Sequence, residues 1–298
     1  MTEIAILTPD PSDPTYTDLW PAVLERLQRA LASGGMTAVP TPWTGHVDDA
    51  GGLERFALVL PLIVWGYHYV PDRWLQACRT WASAGIRMAN PAEVLAWNAD
   101  KRYLDRLGQR GIAVPPTVWT ERVTSDQVEA AFAATGAAQL IVKPTISGGG
   151  WKTHRLRRGD DLDAVLHEIP GGAAMIQPYL PTIETEGETS LLFFGGRFSH
   201  AVNKRPVAGE FRIQLQYGGI YTALATPPEG ALALARQTLE AIDEPLLYAR
   251  IDTVPDADGR WILMEAELIE PDFYLGADPR EGAGFARAVA GRLARPTA

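Results

Sequence analysis

The chain has one cysteine, Cys78, and only four lysines among its 27 basic residues. A lone cysteine excludes an internal disulfide and a cysteine metal cage, and it suits a reducing cytoplasm, the expected location. No basic stretch leads into an apolar segment of signal-peptide length, and no apolar run is long enough to span a bilayer. The net charge of −9 argues against a general partner among nucleic acids or anionic membranes, because phosphate binding needs a positive field. Several catalytic motifs are also missing. Gly150-Trp151-Lys152-Thr153 approaches the end of a P-loop, but Trp151 stands where glycine is required and Ile146 where the earlier glycine belongs. Gly148-x-Gly150-x-x-Thr153 does not complete a dinucleotide fingerprint, and there is no Gly-x-Ser-x-Gly elbow. The five histidines (His46, His68, His154, His167 and His200) show no zinc-ligand spacing.

What is present reads as a mixed α/β protein. Ile4–Leu7 predicts a buried strand, residues 19–32 a helix ending at Gly34-Gly35, Phe56–Val64 a second strand and residues 73–83 a second helix. That alternation suggests a small doubly wound α/β unit. Residues 92–107 read as one helix, residues 127–134 as another, and Gln139–Lys143 as a strand entering the loop Ser147-Gly148-Gly149-Gly150. Short strands follow at 173–177, 191–194 and 198–203, with Gly195-Gly196 turning a hairpin, and Phe211–Gln216 is a further strand candidate. The end reads as a helix over 232–242, strands over 246–254 and 261–269 joined through an Asp-Gly turn, and a helix over 284–294.

The acidic pattern of that last strand pair is the sharpest chemical signal. Residues two apart on a strand share a face, so Arg250 and Asp252 point together, as do Glu265 and Glu267. If the two faces coincide, three carboxylates meet, and their repulsion would be relieved by a hard divalent cation with oxygen ligands. The same pattern also fits the solvent face of an edge hairpin. Lys143 ends an apolar strand beside the glycine loop, and Lys204 ends another strand-like run; both are well placed for phosphate oxygens. Trp65, Tyr67, His68 and Tyr69 follow a strand of the first unit, where α/β sheets present ligands, although an aromatic cap on the sheet end fits equally.

Taken in order, Asn90-Pro91, Trp97-Asn98-x-x-Lys101, Gly111-Ile-x-Val-Pro-Pro-Thr117, Val142-Lys143-Pro144, the Ser-Gly-Gly-Gly loop, Gln177-Pro-Tyr-Leu180, Gly187-Glu188-x-Ser190, Lys204, Arg250-x-Asp252 and Glu265-x-Glu267 resemble the ATP-grasp superfamily in its glutathione synthetase-like form. The strings His200-Ala-Val-x-Lys204-Arg-Pro, Gly209-Glu-Phe-Arg-Ile-Gln and Glu267-Leu-Ile-Glu-Pro271 look like the branch containing the cyclo-ligase that closes O-ureido-D-serine to cycloserine. Two departures stand out. The usual Glu-x-Asn is Glu265-x-Glu267, and an expected Arg-Ser-x-Trp-Asp-Tyr-like segment reads Leu62-Ile-Val-Trp65-Gly66-Tyr67.

The resemblance implies an α/β (α+β) ATP-grasp fold whose lobes enclose an ATP cleft. It implies a substrate lobe over 1–92, a connecting helical segment over 93–112, a lid over 113–180 and an ATP- and metal-binding lobe over 181–298. Lys101 and Lys143 would contact ATP phosphates, and Ser147, Gly148, Gly149 and Gly150 would cover them. Gln177, Pro178, Tyr179 and Leu180 would meet adenine, and Glu188 the ribose. Lys204 and Arg212 would add charge at the phosphates, and Asp252, Glu265 and Glu267 would hold one or two Mg²⁺ ions, with Mn²⁺ also fitting. Arg250 would steady the oxyanion. From their place after a strand of the first unit, and not from the resemblance, Trp65, Tyr67, His68 and Tyr69 are the candidate substrate contacts, with His68 a candidate base for the amine. The implied activity is an ATP-dependent carboxylate–amine ligase, intramolecular in the cyclo-ligase branch, acting through an acyl phosphate on an amino-acid-like molecule. The alternatives are an inert nucleotide-binding module and a phosphotransferase to a hydroxyl. Partners would be small molecules, in a biosynthetic pathway, and a homo-oligomer is compatible.

Overall fold

The computed structural model describes residues 2–16, 18–162, 167 and 171–295. The chain opens with β1 (Thr2–Thr8), α1 (Trp20–Ser33), β2 (Met36–Pro42), β3 (Val59–Leu60) and α2 (Pro71–Ser83). The strands form a parallel sheet in the order β2-β1-β3. Ile4 and Ile6 pack with Leu27 and Leu31 on one side, while Ala5 and Leu7 pack with Trp74 and Trp81 on the other. Both faces of β1 are therefore covered, which is why its sequence is a continuous apolar run.

Two local expectations change here. The apolar run Phe56–Val64 contributes only Val59–Leu60 to the sheet, because Pro61 has no N–H to continue the ladder. Met36–Pro42, whose two prolines hide it from a propensity reading, is an edge strand, where proline is tolerated.

The expected single helix over 92–107 is two, α3 (Ala92–Asn98) and α4 (Tyr103–Gln109). Side chains on both sides of the break are committed to a distant strand. Asn98 donates to the Ala266 carbonyl at 2.8 Å and accepts from the Leu268 N–H at 2.9 Å, while the Tyr103 hydroxyl accepts from the Ala266 N–H at 2.9 Å. Lys101 lies in the break, and its backbone N–H donates to the Thr145 carbonyl at 2.9 Å.

A second sheet has the order β4-β7-β5-β6, from β4 (Val118–Thr120), β5 (Gln139–Pro144), β6 (His154–Arg157) and β7 (Ala174–Pro178). α5 (Ser125–Thr135) covers one face, with Val128 and Phe132 against Leu140, Val142 and Ile176. Alternation along β5 leaves Ile141 and Lys143 on the opposite face.

The third sheet is antiparallel, in the order β10-β9-β8-β11-β12, from β8 (Glu188–Phe194), β9 (Arg197–Arg205), β10 (Ile220–Leu224), β11 (Tyr248–Pro255) and β12 (Trp261–Glu267). Gly195 and Gly196 both have positive φ, 58° and 74°, the backbone a two-residue hairpin turn between β8 and β9 requires. The helix Glu229–Ile242 and α4 cover one face through Leu191, Phe193, Ile251 and Leu263. Phe211–Gln216 is not a strand. The Glu210 carboxylate accepts from the N–H groups of Phe211 and Arg212 and from the Arg212 guanidinium, which folds the segment back locally, and pairing resumes at Ile220. Among the described residues no helix is long and apolar enough to cross a membrane.

Candidate active site

The uncovered face of the third sheet carries the acidic strand pair. Register places Arg250 opposite Glu267 and Asp252 opposite Glu265, with a bulge just beyond Asp252, so all four side chains emerge on one face. Carboxylate oxygens of Asp252, Glu265 and Glu267 lie within 4.8 Å of one another. Neighbouring strands extend the same face. Ser190 lies opposite Asp252 and donates its hydroxyl to Oδ1 at 2.6 Å, and Glu188 lies opposite Lys204.

Cations are more numerous than the two strands alone suggest. Lys204 Nζ is 2.5 Å from Glu188 Oε1 and 3.3 Å from Asp252 Oδ2. Arg250 reaches Asp252 Oδ2 at 3.0 Å and pairs with Glu267. Lys101 Nζ is 3.1 Å from Glu265 Oε1 and donates to the Ser147 carbonyl at 2.7 Å. Lys143, from the second sheet, interacts electrostatically with Glu265 and Glu188. The expectation that only a metal could relieve the repulsion is thereby corrected: cations from three other segments already offset it. The donor set still suits a hard divalent ion, being three carboxylates whose oxygens lie close together on one face.

Each group's protonation follows from this crowding. Burial pushes Asp252 up, but Arg250, Lys204 and the Ser190 hydroxyl outweigh it and hold the carboxyl below its usual range. Burial likewise opposes Lys204 and Arg250, and their carboxylate partners keep both charged. Loss of water drives Lys143 down, with Lys101 adding repulsion. Glu267 is pushed up to about 8 by burial, against the pull of Arg250 and with repulsion from Glu265 and Asp252.

The glycine loop sits against the first lobe. A β-carbon on Gly148 would lie 3.2 Å from His68 Nδ1, so glycine permits this approach. Trp151 meets the rings of His68 and Tyr69 at 5.8 and 5.3 Å, and the Gln216 amide donates to the Gly149 carbonyl at 2.8 Å. His68 is buried, both its ring nitrogens lack a hydrogen-bond partner, and burial lowers it to about 4, so it is neutral at pH 7.

The other expected residues scatter more. Tyr67 is a core residue against Trp74, its ring centroid 4.9 Å away, and Trp65 packs edge-on with Tyr16. Arg212 is bound to Glu210 and stacks 3.6 Å over Tyr217, without a contact to the carboxylate cluster. Gln177, at the end of β7, donates to the Thr117 hydroxyl at 2.9 Å, and the Tyr179 hydroxyl donates to Glu184 at 2.5 Å. Pro178 ends β7 and Leu180 follows it, on the segment that leads from the second sheet to the third.

Three residues carry site geometry without having been given roles from sequence. Ser190 was visible in the Gly187-Glu188-x-Ser190 string. Glu270, three residues beyond Glu267, is driven well above the usual carboxylate range by burial and by Glu267. Tyr274 has left-handed backbone (φ 46°, ψ 42°) and places its ring 5.3 Å from the Arg250 guanidinium and 5.9 Å from Lys204 Nζ. Its conformation has no sequence signature.

Two sheets that bring lysines to one acidic strand pair, with a glycine loop between them, define an ATP-grasp ligase. Residues 111–268 match the prokaryotic glutathione synthetase ATP-grasp domain, and residues 4–90 match the N-terminal domain of D-cycloserine synthetase DcsG. The chain belongs to the ATP-grasp family. It is 30% identical to the cycloserine biosynthesis protein DcsG of Streptomyces lavendulae, over 97% of this chain and 98% of that one. A glutathione synthetase of Prochlorococcus marinus is 26% identical over 92% of the chain and 86% of its own length. The crystal structure of D-cycloserine synthetase DcsG superposes with a TM-score of 0.81 at 29% identity, covering 98% of this chain and 99% of that one. D-alanine–D-alanine ligase from Bacillus anthracis shares the fold, with a TM-score of 0.71 at 15% identity over 98% and 97% of the two chains. The protein is an ATP-dependent ligase that forms a carbon–nitrogen bond. The first lobe matches despite its departure at Leu62–Tyr67.

Proposed function

We propose that the protein joins a carboxylate to an amine on an amino-acid-like substrate through an acyl phosphate. The carrying observation is the convergence of Lys101, Lys204 and Arg250, from three segments, on the carboxylates of β11 and β12. A substrate carboxylate oxygen attacks the γ-phosphorus and ADP leaves; the amine then attacks the acyl carbon, phosphate departs and the amine proton passes to solvent. Lys101 and Lys143 bind phosphate oxygens, Ser147 and Gly148–Gly150 cover them, and Lys204 and Arg250 steady charge on the reacting oxygens. Arg212, paired with Glu210 and stacked over Tyr217, the residue after the glycine loop's partner Gln216, adds positive field from the edge of the site. Gln177–Leu180 receives adenine and Glu188 the ribose. Asp252, Glu265 and Glu267 would hold Mg²⁺, which when bound neutralises phosphate charge. His68 and Tyr69 line the substrate side of the glycine loop, and Trp65 and Tyr67 support them. The division into lobes at 1–92, 93–112, 113–180 and 181–298 assigns motion to the lid segment, and the ligase acts in the cytoplasm.

Incubation with Mg²⁺, ATP and O-ureido-D-serine, then with other amino-acid carboxylate and amine pairs, tests this reading. Carboxylate-dependent ADP release with a product of new C–N bond mass supports it. Nucleotide binding without turnover across the panel, or a stable phosphorylated alcohol, rejects it.

A further inference from the structure

Arg250 is bound along two of its edges. Its Nε donates to Asp252 Oδ1 and Oδ2 at 3.1 and 3.2 Å, and its Nη2 donates to Asp252 Oδ2 at 3.0 Å and to Glu267. Nη1 has no hydrogen-bond partner among the described residues, so its two N–H groups form the edge left for a reacting oxygen. Bonds along two adjoining edges still let a planar guanidinium tilt about them. The Tyr274 ring blocks that tilt. Arg250 Cζ lies over it, 5.3 Å from the centroid, and Lys204 Nζ lies over the same ring at 5.9 Å. Both cations are buried, and Arg250 repels Lys204. A desolvated cation within about 6 Å of a ring centroid is drawn to the ring's negative face, so one ring holds two like charges side by side.

Ordinary packing does not account for the ring's place. Tyr274 is half-buried and lines a cleft of about 240 Å³, which leaves room for the ring to turn away from the cations. Its backbone is left-handed, φ 46° and ψ 42°, a region that bulky side chains rarely adopt. That conformation is fixed on both sides: the Tyr274 N–H donates to Asp272 Oδ1 at 2.8 Å, and the Ala277 N–H donates to the Tyr274 carbonyl at 2.8 Å. Tyr221, the cross-strand partner of Lys204, meets the ring edge-on at 5.4 Å. Strain that is over-determined in this way concentrates at functional sites.

We propose that Tyr274 is a positioning residue for the ligation, its ring fixing Arg250 and Lys204 so that Arg250 Nη1 faces the oxygen on which charge builds. The inference rests on the ligase reading. Tyr274 acts through the two cations and gives neither a proton nor a hydrogen bond to the reacting atoms. Loss of a cation–π contact at a desolvated site corresponds to about ten- to thirtyfold in rate.

The test joins a measurement on Arg250 itself to turnover. In ¹⁵N-labelled protein with Mg²⁺ and a non-hydrolysable ATP analogue bound, the Arg250 Nε–H signal is assigned by its loss in Arg250→Lys, and its exchange with water is timed. Tyr274→Asn removes the ring but keeps a residue that tolerates left-handed backbone, and Tyr274→Leu removes it in a second way. In both, exchange at Arg250 should quicken at least about tenfold and kcat for ADP release should fall about ten- to thirtyfold, with KM for ATP unchanged. The acid in that assay is O-ureido-D-serine or whichever other acid wild type turns over. Tyr274→Phe, which keeps the ring, should recover most of both. Wild-type affinity for the ATP analogue in each variant controls for folding. Unchanged Arg250 exchange without the ring, a loss in Tyr274→Phe equal to that in Tyr274→Asn, or a raised KM for ATP at unchanged kcat each overturns the proposal. If wild type releases ADP with no acid, the ligase reading falls, while the exchange rates still decide whether the ring holds Arg250.

Discussion

Lys101 and Glu265 meet at 3.1 Å, and the same ammonium donates to the Ser147 carbonyl at 2.7 Å. One charge thus joins the break between α3 and α4, the acidic strand and the root of the glycine loop.

Removing that charge should act on turnover. Lys101→Met and Lys143→Met are each expected to lower ADP-forming turnover by about 10²–10³, the usual loss for a key electrostatic group. Steady-state kinetics with the true substrates check this; wild-type-like kcat in both variants would remove them from the phosphate site.

Asp252 carries a second expectation, because two cations depend on it. Asp252→Ala leaves Arg250 and Lys204 buried and short of an anion, which costs about 3–5 kcal/mol of stability. Urea unfolding should show that loss together with loss of turnover. Ser190→Ala, which removes only one hydroxyl donor, should cost about 1–3 kcal/mol.

Asn90 is fully buried and spends its amide on the backbone. It donates to the Tyr248 and Leu268 carbonyls at 2.9 Å each and accepts from the Leu247 N–H at 2.7 Å. Asn90→Ala strands these groups and should lower stability by about 3 kcal/mol or more, at about 1–3 kcal/mol per unsatisfied group. A thermal melt within a degree of wild type contradicts this.

His68 makes stability depend on pH. Its folded value of about 4 lies below the ordinary 6.5, so the unfolded chain binds the proton first as pH falls. The contribution is complete above pH 6.5 and drains away between 6.5 and 4, reaching about 2 kcal/mol lost by pH 5. His200, also lowered by burial, acts in the same direction. Unfolding free energies at pH 7 and 5 should differ less in His68→Gln than in wild type; equal differences in the two proteins argue against the assignment.

Much of the site was legible because strand geometry is periodic. Arg250, Asp252, Glu265 and Glu267 share a face once their two strands pair across a short turn, and only the register had to be supplied by the fold. Lys204 was singled out by its place at a strand end and Glu188 by the order of family strings, yet their direct contact was hidden, since sequence does not give cross-strand partners. The helix break before Tyr103 was illegible because its cause lies in β12, whose Ala266 and Leu268 backbone groups recruit Asn98 and Tyr103. The pairing of Arg212 with Glu210, two residues away, was likewise not foreseen, because a local ion pair depends on how the segment folds back. Tyr274 gave no signal, because its place depends on a left-handed backbone.

The broken helix has a mechanical consequence. With Asn98 and Tyr103 riveted to β12 on either side of it, Lys101 cannot move independently of Glu265, so this pair behaves as the fixed jaw of a vice. If the glycine loop covers nucleotide as proposed, the closing stroke would fall to the β4–β7 sheet that carries the loop. Tightening there would draw Lys143 toward an anvil already charged and aligned.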